Sequence, residues 1–172
     1  EHDHASEAGP IAQRFTEHGY EITHFLIVDE EHYLTPNVTV VWPNLLEFDV
    51  LVVLGAPWGA WEDERIGNWL KPEREKVLEA HNAGIPILGI CLGLQVIGAA
   101  YGAKISSAPE LLHGRTSEIS HNGLDLFKDI PNNFIATRYH SLAVVADTVP
   151  DDLIVTSKTQ GGVIMGLQHK SL

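Results

Sequence analysis

The chain has little sulfur: it carries one cysteine, Cys91, and one methionine in 172 residues. A lone cysteine cannot form an internal disulfide, which fits a reducing compartment and excludes a disulfide-stapled fold. Long apolar runs are also missing, because no segment approaches the roughly 20 residues that a membrane-spanning helix needs. No basic segment followed by an apolar one marks a signal peptide. We therefore expect a cytoplasmic protein.

Basic residues are scarce as well: 11 lysines and arginines stand against 23 acidic residues, giving a formal net charge of −12. Nucleic acids and anionic membranes attract basic surfaces, so we expect neither as a partner. The 10 histidines are scattered along the chain. The opening Glu1-His2-Asp3-His4 is interpreted as a solvated polar loop rather than a metal site, since few further ligands lie near it in the sequence. We expect no metal and no cofactor.

Apolar sequence is plentiful, at 44% of the residues, and predicts one domain over residues 1–172 with a core of its own. Apolar, β-branched runs at 48–54 and 87–90 suit parallel strands, and 20–28 has the pattern of a further strand. Helices are predicted at 6–19, at 72–83 and directly after Cys91, and Gly19 and Gly84 are predicted to end the first two. This alternation of strands and helices predicts an α/β fold with a parallel sheet.

After residue 103 the pattern changes to short strand-like runs separated by turn signals such as Asn122-Gly123. We interpret these runs as a small antiparallel extension of the sheet, not as a second domain. The four runs are Arg115–His121, Phe134–His140, Leu153–Lys158 and Val163–His169.

Cys91 lies between an apolar strand and an apolar helix, in the segment Ile87–Gln95. This pattern is typical of a nucleophile on a sharp strand-to-helix turn, where the helix N-terminus also favours a thiolate. A lone cysteine in an apolar stretch is just as compatible with a small buried core residue. Gly89 and Gly93 flank Cys91 at −2 and +2, where such a turn needs space, and they favour the nucleophile.

Four segments in order resemble those of class I glutamine amidotransferases. Gly89–Gln95 resembles the nucleophile motif, and Gly55-Ala56-Pro57 resembles the oxyanion loop. His113–Ser117 and Arg138–Val144 are similar to amidotransferase components of chorismate-using synthases, which make aminodeoxychorismate or anthranilate. The Ala56-Pro57-Trp58 loop looks more like stand-alone relatives of the GMP synthetase amidotransferase. The fold that this resemblance implies is flavodoxin-like, with three layers and a mostly parallel central sheet flanked by helices.

The resemblance also implies a role for each matching residue. Cys91 would attack the side-chain amide of glutamine, and the backbone N–H groups of Ala56 and Leu92 would form the oxyanion hole. The implied contacts to the glutamine substrate are Gln95, Gly55 with Pro57 of the same loop, and the backbone of Ser141 and Leu142. The thioester would be hydrolysed to glutamate, and the ammonia would pass to a synthase subunit or a fused synthase domain.

Two departures from the family pattern keep alternatives open. Alanine stands at position 56, where the family usually has glycine. The His-Pro-Glu motif that supplies the family's general base is missing from the sequence. We interpret Met165–Leu172 as the strand before that motif, and we expect the catalytic histidine and glutamate beyond Leu172 and the first strand before Glu1. The alternatives are a catalytically silent binding module of the same fold and a stand-alone GMP-synthetase-like amidotransferase.

Three histidines and three tryptophans are further candidates for a role at the site or at a surface. His140 is interpreted as a structural hydrogen-bonding residue rather than the base. The hypothesis that His169 is the catalytic histidine is less favoured. His113 is interpreted as a loop residue at the rim of the site. Three tryptophans either form a partner-facing patch or cover the core of the chain itself: Trp58, Trp61 and Trp69.

Overall fold

The computed structural model describes residues 1–171, and the chain divides into two compact units, Glu1–Gly93 and Leu94–Leu172. Leu172, the last residue of the segment interpreted as the strand before the catalytic one, lies outside the described residues. The single domain over residues 1–172 stays a prediction. The first unit contains α1 (Gly9–Glu17), a 3-10 turn (Leu45–Glu47), β1 (Leu51–Val53), α2 (Asp63–Asn82) and β2 (Ile87–Gly89). After α3 (Leu92–Ala100) come β3 (Ile105–His121), β4 (Phe134–Val144), β5 (Leu153–Thr159) and β6 (Ile164–His169).

The first unit carries the predicted parallel pairing. β1 and β2 run parallel with Leu51 opposite Ile87, and the Ile90 N–H extends the ladder by donating to the Val53 carbonyl at 2.8 Å. β1 is shorter than the predicted run 48–54, because only Leu51–Val53 of that run pairs with β2. The carboxyl ends of both strands lead directly into the segments of the candidate site.

The N-terminal residues form no strand, but their backbone contacts the end of the segment 20–28. The Ile27 N–H donates to the Glu1 carbonyl at 3.0 Å and the Val28 N–H to the His2 carbonyl at 3.1 Å, beside a parallel bridge between Asp3 and Val28. The segment 20–28 forms only this one bridge and no regular strand. The prediction of a full strand there is therefore wrong, since an apolar pattern alone does not supply the partner that a ladder needs.

Both of the first two helices begin elsewhere than predicted. The Ser6 hydroxyl donates to the Asp3 carboxylate at 2.6 Å instead of capping a helix, so that α1 begins at Gly9. α2 begins at Asp63, well before the predicted start, and contains Pro72. Buried side chains at helical spacing stabilise this early part, Ile66, Trp69 and Leu70, and the buried face continues with Glu73 and Val77. The glycines predicted to end the helices do so with positive φ angles, as at Gly19 and Gly84.

The second unit contains a four-stranded antiparallel sheet in the order β4-β3-β5-β6. This confirms antiparallel pairing, although β3 begins at Ile105 and the sheet is larger than the small extension predicted. A buried cluster of Ala103, Val144 and Ile164 forms a core of this unit. Parallel strands, antiparallel strands and helices together confirm the α/β class. Within residues 1–171, no helix is both long and apolar enough to cross a bilayer.

Candidate active site

Cys91 occupies a sharp turn between β2 and α3, as the sequence predicts for a nucleophile. Its φ angle is +57°, a left-handed conformation that non-glycine residues rarely adopt. Such strained residues cost about 1–3 kcal/mol and cluster at functional sites. The residue is exposed, which rules out the interpretation of Cys91 as a buried core residue. The turn therefore presents the thiol to solvent at the N-terminus of α3.

Gly93 lets the first turn of α3 lie directly on β1. A Cβ atom at this position would lie 2.1 Å from the Val53 carbonyl oxygen and 2.9 Å from its carbonyl carbon. No side chain is compatible with that separation, because the neighbouring atoms belong to the backbone and cannot rotate away. Glycine at +2 from the cysteine is thus a steric requirement of the turn, as expected from the sequence.

The loop after β1 approaches Cys91 closely. A Cβ on Gly55 would lie 3.3 Å from the Cys91 Cβ and 3.5 Å from its Sγ. Ala56 is half-buried and Pro57 is exposed. Leu92 is the first residue of α3, where backbone N–H groups have no partner within the helix. The structure thus brings together Cys91 and Gly55, flanked by the two peptides predicted to form an oxyanion hole.

A buried histidine, His2, supports this loop. Its Nδ1 lies 3.1 Å from the Gly55 carbonyl oxygen, and its Nε2 lies 2.8 Å from Glu73 Oε1. His2 is 1% exposed and Glu73 is 5% exposed, so the interpretation of residues 1–4 as a solvated loop is wrong. Sequence reasoning missed this pair because its members are 71 positions apart and neither belongs to a motif.

A second histidine, His140, fixes the β4 segment that contains Ser141 and Leu142. Arg138 Nε donates to His140 Nε2 at 3.0 Å, so His140 Nδ1 carries the hydrogen and donates to the Leu142 carbonyl at 2.8 Å. Burial, and secondarily the Arg138 charge, hold the pKa of His140 below its ordinary value of 6.5. Both ring nitrogens are engaged, which agrees with the prediction of a structural hydrogen-bonding residue.

The other predicted substrate contacts belong to the second unit. Gln95 is a buried residue of α3, with 7% of its surface exposed. Ser141 is exposed and Leu142 is buried, as alternate residues of a strand should be. Their roles toward glutamine remain predictions.

The other candidate histidines, His169 and His113, each contact an aromatic ring. The His169 ring lies 5.2 Å from the Tyr101 ring, and its Nδ1 accepts from the Ser171 N–H at 3.2 Å. His113 lies in β3 rather than in a loop and contacts the Tyr139 ring edge-on at 5.8 Å. Across residues 1–171, no group of three or more histidine, cysteine, aspartate or glutamate side chains is arranged to hold a metal ion.

The three tryptophans divide between the two interpretations. Trp58 and Trp69 are buried, at 4% and 0% exposure, and the Trp69 Nε1 donates to the Pro36 carbonyl at 2.8 Å. Trp61 is 50% exposed. The first two therefore belong to the core, and only Trp61 reaches the surface.

Comparison with known proteins gives relatives named TrpGD and anthranilate synthase component 2. Over 94 residues the chain is 51% identical to the bifunctional protein TrpGD of Thermotoga maritima, covering 55% of this chain and 16% of that protein. Over 86 residues it is 51% identical to anthranilate synthase component 2 of Cyanophora paradoxa, covering 50% of this chain and 45% of the relative. The chain thus spans less than half the length of these curated relatives.

Solved structures and a family model agree on the fold. A glutamine amidotransferase from Thermotoga maritima matches 98% of this chain and 69% of its own, with a TM-score of 0.79 and 20% identity. One from Methylobacillus flagellatus matches 99% of this chain and 64% of its own, with a TM-score of 0.78 and 12% identity. At these identities the likeness establishes the fold. The model of the family described as glutamine amidotransferase class-I matches residues 8–172. The chain therefore belongs to the class I glutamine amidotransferases.

Proposed function

We propose that this chain hydrolyses L-glutamine to glutamate and supplies the released ammonia to a synthase that uses chorismate. The observation that carries the proposal is the exposed Cys91, in a left-handed turn at the N-terminus of α3 and beside the Gly55 loop. A structural cysteine needs neither the strained turn nor the exposure. This geometry argues against the alternative of a silent binding module, which has no use for a strained, exposed thiol.

The proposed reaction passes through a covalent thioester. The Cys91 thiolate attacks the carbonyl carbon of the glutamine side-chain amide, and the carbonyl oxygen becomes an oxyanion. The N–H groups of Ala56 and Leu92 donate to that oxygen, each contributing roughly 3–4 kcal/mol of transition-state stabilisation. The C–N bond then breaks, and the nitrogen leaves as ammonia after taking up a proton. Water attacks the thioester, and glutamate leaves as the thiol is restored.

In this proposal substrate recognition and proton transfer come from other segments. Gln95 contacts the glutamine, while the Gly55-Ala56-Pro57 loop and the backbone of Ser141 and Leu142 hold its amino-acid end. A histidine oriented by a glutamate would act as the general base, as the family resemblance implies.

The relatives favour a chorismate-using synthase as the acceptor of ammonia. Those named anthranilate synthase component 2 and TrpGD are about half identical to this chain over the matched stretches. A protein of Thermoplasma acidophilum that is named for GMP synthase matches 73% of this chain and 59% of its own, with a TM-score of 0.59 and 24% identity. At 24% identity this likeness shows the fold alone and does not support the GMP alternative. The synthase is either a separate subunit or a domain of the same polypeptide.

Replacing the nucleophile in the complete protein tests the proposal. Cys91→Ser should abolish glutamine-dependent synthesis with the chorismate-using synthase and spare synthesis from added ammonium salt. The ammonium assay of the same variant is the internal control, because it reports on the synthase alone. Glutamine-dependent turnover by the variant at the wild-type rate would contradict the proposed nucleophile.

The wild-type protein separates the alternatives. A silent module predicts no glutamine hydrolysis even with the synthase present. A GMP-type amidotransferase predicts that a chorismate-using synthase does not stimulate hydrolysis, whereas the proposal predicts stimulation.

A further inference from the structure

Among the buried ionisable side chains, His2 and Glu73 have no task in the proposed reaction. His2 lies between an acceptor that cannot donate, the Gly55 carbonyl oxygen, and a carboxyl oxygen of Glu73. The His2 ring is also packed 5.3 Å from the Trp69 ring, which restricts its orientation. Burying such polar groups costs free energy unless each finds a partner.

The positions of the hydrogens in this contact follow from its chemistry. A carbonyl oxygen only accepts, so His2 Nδ1 must carry a hydrogen and donate to Gly55. The short contact between Nε2 and Glu73 Oε1 then holds a second proton, carried either by the ring or by the carboxyl group. Glu73 Oε2 is buried with no hydrogen-bond partner in the described chain, so Glu73 depends on His2 for its hydrogen bonding.

The Gly55 carbonyl and the Ala56 N–H are the two ends of one peptide group. Because the peptide is planar, a hydrogen bond that fixes the direction of the carbonyl oxygen also fixes the opposite direction of the N–H. A donor on the oxygen polarises the same group, which makes its N–H a stronger donor. Gly55 gives the loop backbone many accessible conformations, and position 56 carries alanine. We therefore expect the orientation of this peptide to need a hydrogen bond that fixes it.

We propose that His2, held by Glu73, is a positioning residue that orients the Gly55–Ala56 peptide so that the Ala56 N–H points at the developing oxyanion. This inference rests on the proposed function, because it takes the Ala56 N–H as an oxyanion donor. His2 acts through the loop and does not contact the substrate. No motif includes either side chain, and only the contact between distant segments reveals the pair.

Two substitutions at His2 form a matched test in the complete protein. His2→Asn can keep an N–H donor near the position of Nδ1, whereas His2→Leu is similar in size and has no donor. We expect His2→Leu to lower kcat for glutamine hydrolysis about tenfold with KM within about twofold, less than the loss of a whole oxyanion donor. We expect His2→Asn to recover most of that loss.

The backbone of Ala56 gives a readout that a purely structural role would not move. Its amide nitrogen resonance reports hydrogen bonding to the preceding carbonyl and should shift in His2→Leu but stay near the wild-type position in His2→Asn. Equal kcat in both variants and wild type, with an unmoved Ala56 resonance, would overturn the inference.

A measurement on the unaltered protein covers the case in which His2→Leu does not fold. In the nitrogen-15 spectrum of labelled histidine, Nδ1 of His2 should have the resonance of a protonated ring nitrogen. An unprotonated Nδ1 would overturn the inference. The Cys91→Ser result separates this test from the proposed function: if Cys91→Ser abolishes glutamine use and His2→Leu changes nothing, only the role of His2 fails.

Discussion

Two regions of the chain use a histidine to fix a backbone carbonyl, and they do so in opposite electrostatic surroundings. In the first unit, His2 donates to the Gly55 carbonyl and faces the carboxyl group of Glu73. In the second unit, His140 donates to the Leu142 carbonyl and accepts from the Arg138 guanidinium. In both cases Nδ1 carries the hydrogen, because its partner is a carbonyl oxygen.

The difference lies in what holds the other ring nitrogen. In the first unit, His2 and the carboxyl group of Glu73 must share an additional proton. This contact connects the Gly55 loop to a buried carboxyl group of α2. Beside a guanidinium, the ring remains neutral, and the pKa of His140 is lowered by burial and by the Arg138 charge. A backbone carbonyl is therefore fixed in two ways. At the proposed oxyanion loop His2 and Glu73 hold a shared proton, whereas at the proposed substrate-binding strand the neutral ring of His140 is sufficient.

The backbones of the two regions also differ in whether they can accommodate an added side chain. The elbow at Cys91 depends on a close approach, since a Cβ on Gly93 would lie 2.1 Å from the Val53 carbonyl oxygen. The Ser141–Leu142 segment is a regular part of β4, paired antiparallel with β3. We therefore expect substitution of Gly93 in the first region to lower stability, and substitution in the second region to lower affinity for glutamine.

The largest effect should come from Gly93→Ala. The added methyl group meets immobile backbone, so the free energy of unfolding should fall by about 3 kcal/mol or more. The matched control is Gly98→Ala in the same helix, where a Cβ would meet the ends of side chains at 3.3 Å or more. That change should stay within about 1 kcal/mol, because alanine also favours the helix. Urea unfolding curves measure both, and equal stability of the two variants would contradict the proposed close packing.

His140→Leu should have an intermediate effect that separates the two histidines. This variant lacks the donor to the Leu142 carbonyl, so the backbone segment proposed to bind the amino-acid end of glutamine is no longer held in place. KM should therefore rise about three- to tenfold with kcat little changed. Steady-state kinetics of glutamine hydrolysis measure the split. A fall in kcat at constant KM, as expected for His2→Leu, would erase the proposed distinction between the regions.

The smallest effect concerns stability at acidic pH. In the unfolded chain His140 binds a proton near pH 6.5, whereas in the folded protein its pKa is lower. Stability from this group is thus complete above pH 6.5 and falls as the pH drops below it toward the folded pKa, because the unfolded state binds the proton first.

His140→Asn should therefore reduce the loss of stability as the pH falls below about 6.5. Urea midpoints measured across this range check the prediction. His113→Asn is a control because it removes an exposed histidine from the same sheet. An identical pH dependence in wild type and His140→Asn would refute the role given to His140.

Much of the fold follows from local pattern. The apolar runs at 48–54 and 87–90 predicted the parallel pair β1 and β2, and the positions of Gly19 and Gly84 predicted the ends of helices. The start of α2 was predicted wrongly because acidic residues and Pro72 mask a buried face that includes Trp69. A sequence pattern is judged over all residues of a segment, including the exposed polar ones. A packed helix, in contrast, needs apolar residues only along the one stripe that it buries.

For the candidate site, the sequence by itself determined the nucleophile and its turn, because an elbow is local: strand, cysteine and glycine follow one another in Ile87–Gly93. Only the tertiary structure decided what supports the loop beside it. The opening residues look solvated in the sequence, yet His2 is buried against Gly55 and Glu73. A hydrogen bond between residues 71 positions apart depends on how the chain folds back, and no local pattern of residue types contains that information.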